Sequence, residues 1–238
     1  MTWSILVRDE NGHFGVAIAS RFFSVGSLCV HTRRGVGALS TQALMNPLYG
    51  PGGIEALAGG KTAAETVAAL IAGDEGRAQR QLHVLPARGP GAAHTGSGCV
   101  DWCGHLVRDG LSVAGNMLAG PSVIEATAQA YLDSKHLTMA ERLLAAMDAG
   151  QAEGGDKRGK QSAALCIQAD EDYLQLDLRV DDHEEPLQEL RRLYEKSLER
   201  FQPFLACLAG RGRPSGLTDR AQIEAHIERF HAQRQKQQ

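Results

Sequence analysis

Residues 2–21 read TWSILVRDENGHFGVAIASR, and this stretch decides the fold prediction. Residues 2–7 and 14–20 are two short runs rich in apolar and β-prone side chains. Asn11-Gly12 lies in the segment between them, and Asn-Gly between two such runs is a strong signal for a β-hairpin. The opening of the chain therefore predicts a pair of antiparallel strands.

The pattern continues outward as blocks of strands and paired helices. Two capping boxes, Thr62 to Glu65 and Thr138 to Glu141, mark helix starts. Because the helices come in pairs, the single-helix crossovers of a doubly wound sheet fit poorly. The order predicts an α+β fold, a four-layer αββα sandwich of two antiparallel sheets. The predicted strands are 2–7, 14–20, 27–32, 35–41, 82–85, 92–95, 105–108, 111–114, 162–168 and 174–180, and the paired helices are 51–58 with 62–71 and 121–132 with 138–149.

The C-terminal quarter has a different character. From Pro186 to about residue 205, leucines recur at helical spacing among charged residues. Residues 210–216 read as a linker, and residues 218–230 as a last helix. We therefore expect residues 1–183 to form the αββα domain. Residues 184–238 are expected to form a helical extension that packs on the same domain and ends in a basic tail.

Composition excludes several classes of protein. The 238 residues are 43% apolar and 22% charged, with a net charge of −3, which gives no electrostatic reason for a nucleic-acid or membrane partner. No apolar run approaches the roughly 18 residues of a membrane helix. Five cysteines are an odd number, and the opening does not resemble a signal peptide. We expect a cytoplasmic protein with reduced thiols.

Thr2 is the first candidate for chemistry. Removal of Met1 would make it the N-terminal residue, with a hydroxyl as nucleophile and its own α-amine as base. An α-amine titrates near roughly 8, so much of it can accept a proton at neutral pH. A retained Met1 would leave an amide nitrogen and disable this mechanism. Met-Thr also begins many ordinary proteins, so the case for a catalytic Thr2 depends on the surrounding motifs.

Several separated motifs, in order, carry a family resemblance. The chain resembles the bacterial domain-of-unknown-function family numbered ten twenty-eight, and through it the N-terminal-nucleophile (Ntn) hydrolases. The resemblance covers residues 2–183, implies the same αββα fold, and supplies no substrate. The matching motifs are residues 2–5 (TWSI), 15–21 (GVAIASR), 35–38 (GVGA), 41–43 (TQA), Asn46, 49–51 (YGP), 94–96 (HTG), 115–120 (GNMLAG) and 154–165 (GGDKRGKQSAAL).

The resemblance also implies site residues. It places Asp156, Arg158 and Ser162 beside the nucleophile, where a Ser and an Asp would hold the α-amine and relay its proton. A solvated surface turn is the alternative for this segment. Asn116 would contribute to an oxyanion hole, or it is an Asn tolerated in a left-handed turn.

A second group of residues would bind the substrate. The amides of Gln42 and Asn46 are good substrate contacts but also common in turns, and His94 is a further candidate. Arg21 and Arg158, with Lys160, could bind a substrate carboxylate, or they are solvated surface cations.

The segment from His94 to His105 contains enough ligands for zinc, including Cys99 and Cys103. Alternate residues of a strand point apart, so we expect no metal there, and no cofactor elsewhere. A catalytic Cys99 paired with His94 remains an alternative. The glycines form neither of the familiar phosphate-binding motifs.

The leading functional hypothesis is an Ntn-type amidohydrolase that cleaves a small amide or ureido substrate, N-acylated or N-carbamoylated, through Thr2. A non-catalytic binding or assembly protein with the same fold and a Cys-dependent hydrolase are the alternatives. The expected partner is a small-molecule substrate, with neither nucleic acid nor membrane. The long apolar stripe of the helix from Pro186 would suit a homodimer, although covering its own sheet is the simpler use.

Overall fold

The computed structural model describes residues 2–236. The chain divides between Leu190 and Arg191 into two compact units. The predicted boundary after residue 183, and the packing of the C-terminal extension on the first unit, stay predictions. Processing of Met1 and the last two residues of the basic tail lie outside the described residues.

The first unit contains two sheets in which every strand pair is antiparallel. One sheet has six strands in the order β10-β9-β2-β1-β8-β7, and the other has four in the order β3-β4-β5-β6. The strands are β1 (Thr2–Arg8), β2 (Phe14–Ser20), β3 (Val30–Arg33), β4 (Gly37–Ala43), β5 (Arg80–Pro86), β6 (Ala92–Thr95), β7 (Trp102–Arg108), β8 (Leu111–Leu118), β9 (Ser162–Gln168) and β10 (Leu176–Val180).

The helices cover the outer faces of the two sheets. The first pair packs on β4 and β5, the second pair packs on β2 and β8, and the sheets face each other through β1, β2 and β8 against β4 and β5. The α+β four-layer αββα sandwich is therefore confirmed. The helices are α1 (Tyr49–Ala58), α2 (Ala63–Ala72), α3 (Pro121–Asp133), α4 (Met139–Ala152), α5 (Pro186–Glu199), α6 (Phe201–Leu205) and α7 (Arg220–Gln235).

The two capping boxes form as their sequences predict. Thr62 Oγ1 accepts the backbone N–H of Glu65 at 3.2 Å, and the Glu65 carboxylate accepts the N–H of Thr62 at 2.8 Å. Thr138 and Glu141 make the same exchange at the start of α4. Each cap satisfies N–H groups that have no partner within the helix, which stabilises it by about 1 kcal/mol.

Several element bounds differ from the prediction; β8, for example, ends at Leu118 instead of residue 114. Two of the differences have a cause in the structure. The third strand begins at Val30, because residues 25–27 form a 3-10 turn that follows Ser24 in the left-handed region, with φ 53. The helix predicted from Pro186 breaks after Glu199, and Arg200 leaves helical geometry with φ −148. Pro203 lacks an N–H for the carbonyl of Glu199, so α5 cannot continue unbroken through this point.

One end of the sandwich, here called the Thr2 end, collects the functional candidates. There β1 begins, β2, β4 and β8 end, and β9 begins. α4 also ends here, and Gly150 lets it approach β1, since a Cβ at this glycine would lie 2.2 Å from Thr127 Oγ1 and 3.0 Å from Trp3 Nε1. Within residues 2–236, no helix is long and apolar enough to cross a lipid bilayer.

Candidate active site

Thr2 lies in a row of four polar side chains across the six-stranded sheet. Its partners in register are Ser20 on β2 and Asn116 on β8, and Ser20 in turn pairs with Ser162 on β9. Directly paired residues of antiparallel strands point to the same face. The Thr2 hydroxyl lies 3.0 Å from that of Ser20, and Thr2 is buried. The nucleophile candidate thus lies at the mouth of the layer between the sheets.

The segment around Asp156 crosses the end of β1. Asp156 forms a β-bridge with Leu118 at the end of β8, and its Oδ2 accepts the backbone N–H of Arg21, just beyond β2, at 3.1 Å. β1 lies between β8 and β2 in the sheet. A residue tied to both neighbours must therefore pass the end of β1 at which Thr2 lies. Gly154, with φ 101, allows the turn that enters this segment.

The Asp156 carboxylate is buried and held by backbone donors. Its side chain is fully shielded from solvent, and its Oδ1 accepts the N–H of Arg158 at 2.7 Å. Burial raises the pKa of this carboxyl above its usual range, although the two backbone N–H groups and the Arg158 guanidinium, 3.8 Å away, oppose the shift. Asp156 is thus a carboxyl of tuned acidity beside the N-terminal end of β1.

Two amides hold the Thr2 carbonyl from opposite sheets. Asn116 Nδ2 and Gln42 Nε2 each lie 3.4 Å from the Thr2 carbonyl oxygen. Both also donate to one acceptor, Gln81 Oε1, at 2.9 Å and 2.8 Å. Gln81 is completely buried and donates in turn to the carbonyl of Gly115 at 2.8 Å. Gln81 therefore fixes both amides that contact Thr2.

A hydrogen-bonded chain continues inward from Gln42. Ser4 Oγ donates to Gln42 Oε1 at 2.7 Å, so His83 Nε2, 2.8 Å from Ser4 Oγ, must donate to it. His83 Nδ1 is then left to accept from Ser112 Oγ at 2.9 Å. Burial lowers the pKa of His83 from 6.5 to about 3, with a smaller contribution from His105. His83 is therefore neutral near pH 7 and holds one tautomer.

Strained backbone follows both amides. Ala43, directly after Gln42, has φ 67, and Met117, directly after Asn116, has φ 55. Left-handed geometry costs a residue with a Cβ about 1–2 kcal/mol. Such strain gathers at functional sites because the surrounding structure must hold it in place. Here it turns each strand away immediately after the residue that contacts Thr2.

Ser162 is placed in the Thr2 row but serves the neighbouring loop. Its hydroxyl donates to the carbonyl of Phe22 at 2.5 Å and accepts the N–H of Val25 at 3.0 Å. Ser20, rather than Ser162, makes the hydroxyl contact with Thr2. The predicted role of Ser162 in proton relay stays a prediction.

The predicted substrate-reading residues separate into two groups. Arg21 and Arg158 lie at the Thr2 end, and Arg21 Nη1 donates to the Arg158 carbonyl at 2.9 Å. Asn46 instead donates to Asp74 Oδ2 at 3.1 Å. Asp74 also binds Arg80 and Tyr49, and these bonds, that of Arg80 foremost, hold the pKa of its carboxyl below the usual range.

His94 and Lys160 also contact other groups than Thr2. His94 Nε2 lies 2.9 Å from the carbonyl oxygen of Arg77, and Lys160 forms an ion pair with Glu185 at 2.5 Å. The structure therefore brings Thr2, Asp156, Asn116, Gln42 and Arg21 together. It does not bring Asn46 or His94 to them.

The cysteine segment shows no catalytic pairing. Cys99 Sγ lies 3.5 Å from the carbonyl of Arg80, and Cys103 Sγ lies 3.7 Å from the carbonyl of Cys99. Burial raises the pKa of the Cys99 thiol, whereas a reactive cysteine has a lowered pKa. Among residues 2–236, no three His, Cys, Asp or Glu side chains are grouped to hold a metal ion.

A separate cavity of about 530 Å³ lies along β3, β9 and β10. His31, Gln168 and Asp177 are among its lining residues, and no predicted site residue is. This cavity is therefore separate from the candidate site at Thr2.

Sequence reasoning missed Ser4, Ser20, Gln81 and His83. A signal was present on β5: Gln81 and His83 alternate with Leu82 and Val84, which pack in the cluster under α1 and α2. In a strand covered on both faces, alternating polar residues must find partners on the opposite sheet. That rule could have placed both residues between the sheets.

The fold and site define a four-layer α+β protein with a threonine at the start of a central strand. The chain belongs to the family of unknown function DUF1028, whose family model matches residues 2–190. It is similar to protein SPO2555 from Silicibacter pomeroyi, a structure of the same family, with 30% identity over 92% of this chain and 96% of that one, and a TM-score of 0.84.

A more distant solved structure is Anbu (ancestral beta-subunit) from Yersinia bercovieri. Its identity is 15% over 82% of this chain and 94% of that one, and its TM-score of 0.36 carries no argument about the site. No curated protein matches the chain at a significant level.

Proposed function

We propose that the protein is an Ntn-type amidohydrolase with Thr2 as its nucleophile. One observation carries the proposal, namely that Asp156 is tied to both neighbours of β1, by its backbone to the end of β8 and by its buried carboxylate to the N–H of Arg21 just beyond β2. It thus lies beside the end of β1 at which the Thr2 hydroxyl is 3.0 Å from that of Ser20. After removal of residue 1, the Thr2 α-amine would lie at this end of β1. A buried carboxylate there would orient the amine by charge and hydrogen bonding.

The proposed reaction proceeds through an ester on Thr2. The α-amine takes the hydroxyl proton while Oγ1 attacks the carbonyl carbon of the substrate amide. The C–N bond then breaks, the departing nitrogen takes the proton, and the acyl group remains on Oγ1. Water then attacks the ester carbon while the amine takes one of its protons; the C–Oγ1 bond breaks, Oγ1 receives that proton from the amine, and the carboxylic acid leaves. The net change is one water consumed for one C–N bond cleaved.

The amides would orient Thr2 during these steps. In the structure, Asn116 directs its N–H groups at Gln81 and at the Thr2 carbonyl. Its role in an oxyanion hole, which the sequence predicts, would require one of these bonds to be released when substrate binds. Backbone N–H groups at the strand ends would supply the remaining stabilisation of the oxyanion.

The substrate class is a small N-acyl or N-carbamoyl compound with a carboxylate. Arg21 and Arg158 supply exposed guanidinium groups at the Thr2 end, and guanidinium binds carboxylate in a bidentate manner. The cysteines, all free, suit the reducing cytoplasm in which we place the enzyme. A Cys99 nucleophile has less support, because burial raises the pKa of its thiol.

A substrate screen with matched variants tests the proposal. Purified protein is incubated with a panel of N-acyl and N-carbamoyl amino acids, and released amine is measured. We expect turnover by the wild type and by Thr2→Ser, and none by Thr2→Ala or by protein with residue 1 retained. Normal turnover by Thr2→Ala would place the nucleophile elsewhere.

A further inference from the structure

The Thr2 end carries an unusual concentration of exposed large apolar side chains. They lie on the loops that follow β2, β4 and β6, and each is between 47% and 76% exposed. β2 ends at Ser20, which contacts Thr2, and β4 ends one residue after Gln42, which contacts the Thr2 carbonyl. β6 ends at Thr95, whose partner in register is Gln81. All three loops therefore begin beside the site. We call the set the apolar rim: Phe22, Phe23, Leu28, Leu44, Leu48 and Val100.

The opposite end of the sandwich is different. Within the part of the first unit that the structure describes, the remaining exposed large apolar residues are Leu137, between α3 and α4, and Tyr173, between β9 and β10. Single exposed apolar residues need no explanation, but several gathered on one surface mark a binding site. The rim is therefore a candidate binding surface.

A positively charged side chain, that of Arg21, lies next to the rim. Arg21 directly precedes Phe22 and is exposed, and its Nη1 is held by the Arg158 carbonyl. Its Nη2 and Nε make no hydrogen bond or ion pair within residues 2–236. The guanidinium is therefore positioned by one bond and still offers donors outward. An apolar surface with a fixed cation fits a ligand that has an apolar chain and an anionic head.

We propose that the substrate is an N-acyl amino acid with a long or bulky apolar acyl group. The acyl chain would lie on the apolar rim, and the carboxylate of the amino acid would bind Arg21. Hydrolysis adds water across the C–N bond, so that the acyl carbon receives the oxygen and leaves as a fatty carboxylate, while the amino acid nitrogen receives the proton. This inference rests on the proposed function and narrows it, since it disfavours N-carbamoyl and N-acetyl compounds.

Binding to a non-hydrolysing protein tests the inference separately from catalysis. Calorimetry compares N-octanoylglycine with N-acetylglycine on the Thr2→Ala protein. We expect N-octanoylglycine to bind at least about 30-fold more tightly, because the six added methylenes leave water. Equal affinities, or no binding of either compound, would overturn the inference.

Variants of the apolar rim, with a matched control, test where the acyl chain of the substrate binds. Phe23→Ser and Leu44→Ser, in the same Thr2→Ala protein, should each weaken N-octanoylglycine by about 5-fold or more, because each removes apolar contact area. Arg21→Gln should weaken both acylglycines alike. Leu137→Ser removes a comparable exposed side chain at the opposite end and should change nothing. An equal loss in Leu137→Ser would contradict the assignment.

Two further outcomes distinguish this inference from a subunit interface and from the proposed function. If the rim variants turn an oligomer into monomer by light scattering and leave N-octanoylglycine affinity unchanged, the rim is a subunit interface and the inference is wrong. If N-octanoylglycine binds as expected but the wild type hydrolyses nothing, the binding site stands and the proposed function fails.

Discussion

The two halves of the layer between the sheets are built from the same strands but from opposite kinds of side chain. On β1 the inward residues run Thr2, Ser4, Leu6, and on β5 they run Gln81, His83, Leu85. Along these two strands the residues near Thr2 are polar and hydrogen-bonded, whereas the far residues belong to an apolar cluster. The cluster consists of Leu6, Phe14, Val16, Ala38, Leu85 and Cys166.

The polar half of the layer contributes less to stability than the apolar half. Burying an amide or imidazole costs free energy unless its hydrogen bonds are replaced, whereas burying a leucine stabilises directly. Almost all buried polar side chains of the polar half have hydrogen-bond partners. Ser40 Oγ is an exception, with no partner within the described chain. Strain at Ala43 and Met117 lies at the same end. The apolar half holds the sheets together, and the polar half positions Thr2.

The largest effect is expected at Thr2 itself. Thr2→Ala should lower turnover by at least about 10³-fold, because it removes the nucleophile. Its thermal unfolding midpoint should stay close to that of the wild type, since Thr2 contributes little to either half of the layer. Kinetics on an N-acyl amino acid and a melting curve measure both. Loss of the fold in this variant would assign Thr2 to stability instead.

A pair of substitutions on β5 separates the two halves. Leu85→Ala in the apolar half should lower the free energy of unfolding by about 2–5 kcal/mol, because it leaves a cavity. At moderate temperature its kcat should be near that of the wild type.

Gln81→Met in the polar half should do the reverse. It removes the shared acceptor of Gln42 and Asn116, so kcat should fall by about 10²-fold with a small change in KM. The cost in stability should be about 1–3 kcal/mol, from the amide donors left unpaired. Urea denaturation and steady-state kinetics on both variants test the contrast. Equal losses of kcat would remove the distinction between the halves.

Acid should weaken the polar half through His83. The unfolded chain binds a proton as the pH falls below 6.5, while the folded pKa near 3 keeps His83 neutral. The stability it contributes is therefore complete above pH 6.5 and is lost at about 1.4 kcal/mol per pH unit as the pH falls toward 3. His83→Gln should flatten this dependence in urea titrations between pH 7 and 4. An unchanged slope would mean that folding does not lower the pKa of His83.

The smallest effect is expected from relieving strain on β4. Ala43→Gly should stabilise the protein by about 0.5–1 kcal/mol, because glycine tolerates the left-handed region. Ala38→Gly, on the same strand in the apolar half, should destabilise by about 1 kcal/mol, since Ala38 is not in that region. Thermal unfolding of both variants gives the comparison. The same sign for both would argue against strain at Ala43.

Most of the fold could be predicted from the sequence. The Asn11-Gly12 turn, the alternation on β10 and the capping boxes at Thr62 and Thr138 are local signals, and they indicate the element order and the layers. The turn at residues 25–27 could not be predicted, because contacts with Asp181 and Ser162 stabilise it from distant parts of the chain.

The site was predictable only in part. Thr2, Asp156 and Asn116 belong to motifs, and the structure brings them to one end of the sandwich. Gln81 and His83 lie outside every motif, and their roles depend on pairing across two sheets, which no single-strand pattern encodes. His94 lies apart from Thr2 because adjacent residues of β6 point to opposite faces: Thr95 contacts Gln81, and His94 contacts Arg77.

The central claim is that Thr2 is an N-terminal nucleophile, and intact-mass spectrometry tests it most directly. Protein purified from the organism that produces it is weighed before and during incubation with an N-acyl amino acid, and the adduct is located by fragmentation. We expect a chain that begins at Thr2 and a transient gain of one acyl group on that residue. A chain that retains Met1 and still hydrolyses the substrate, or an acyl group found on Cys99, would contradict it.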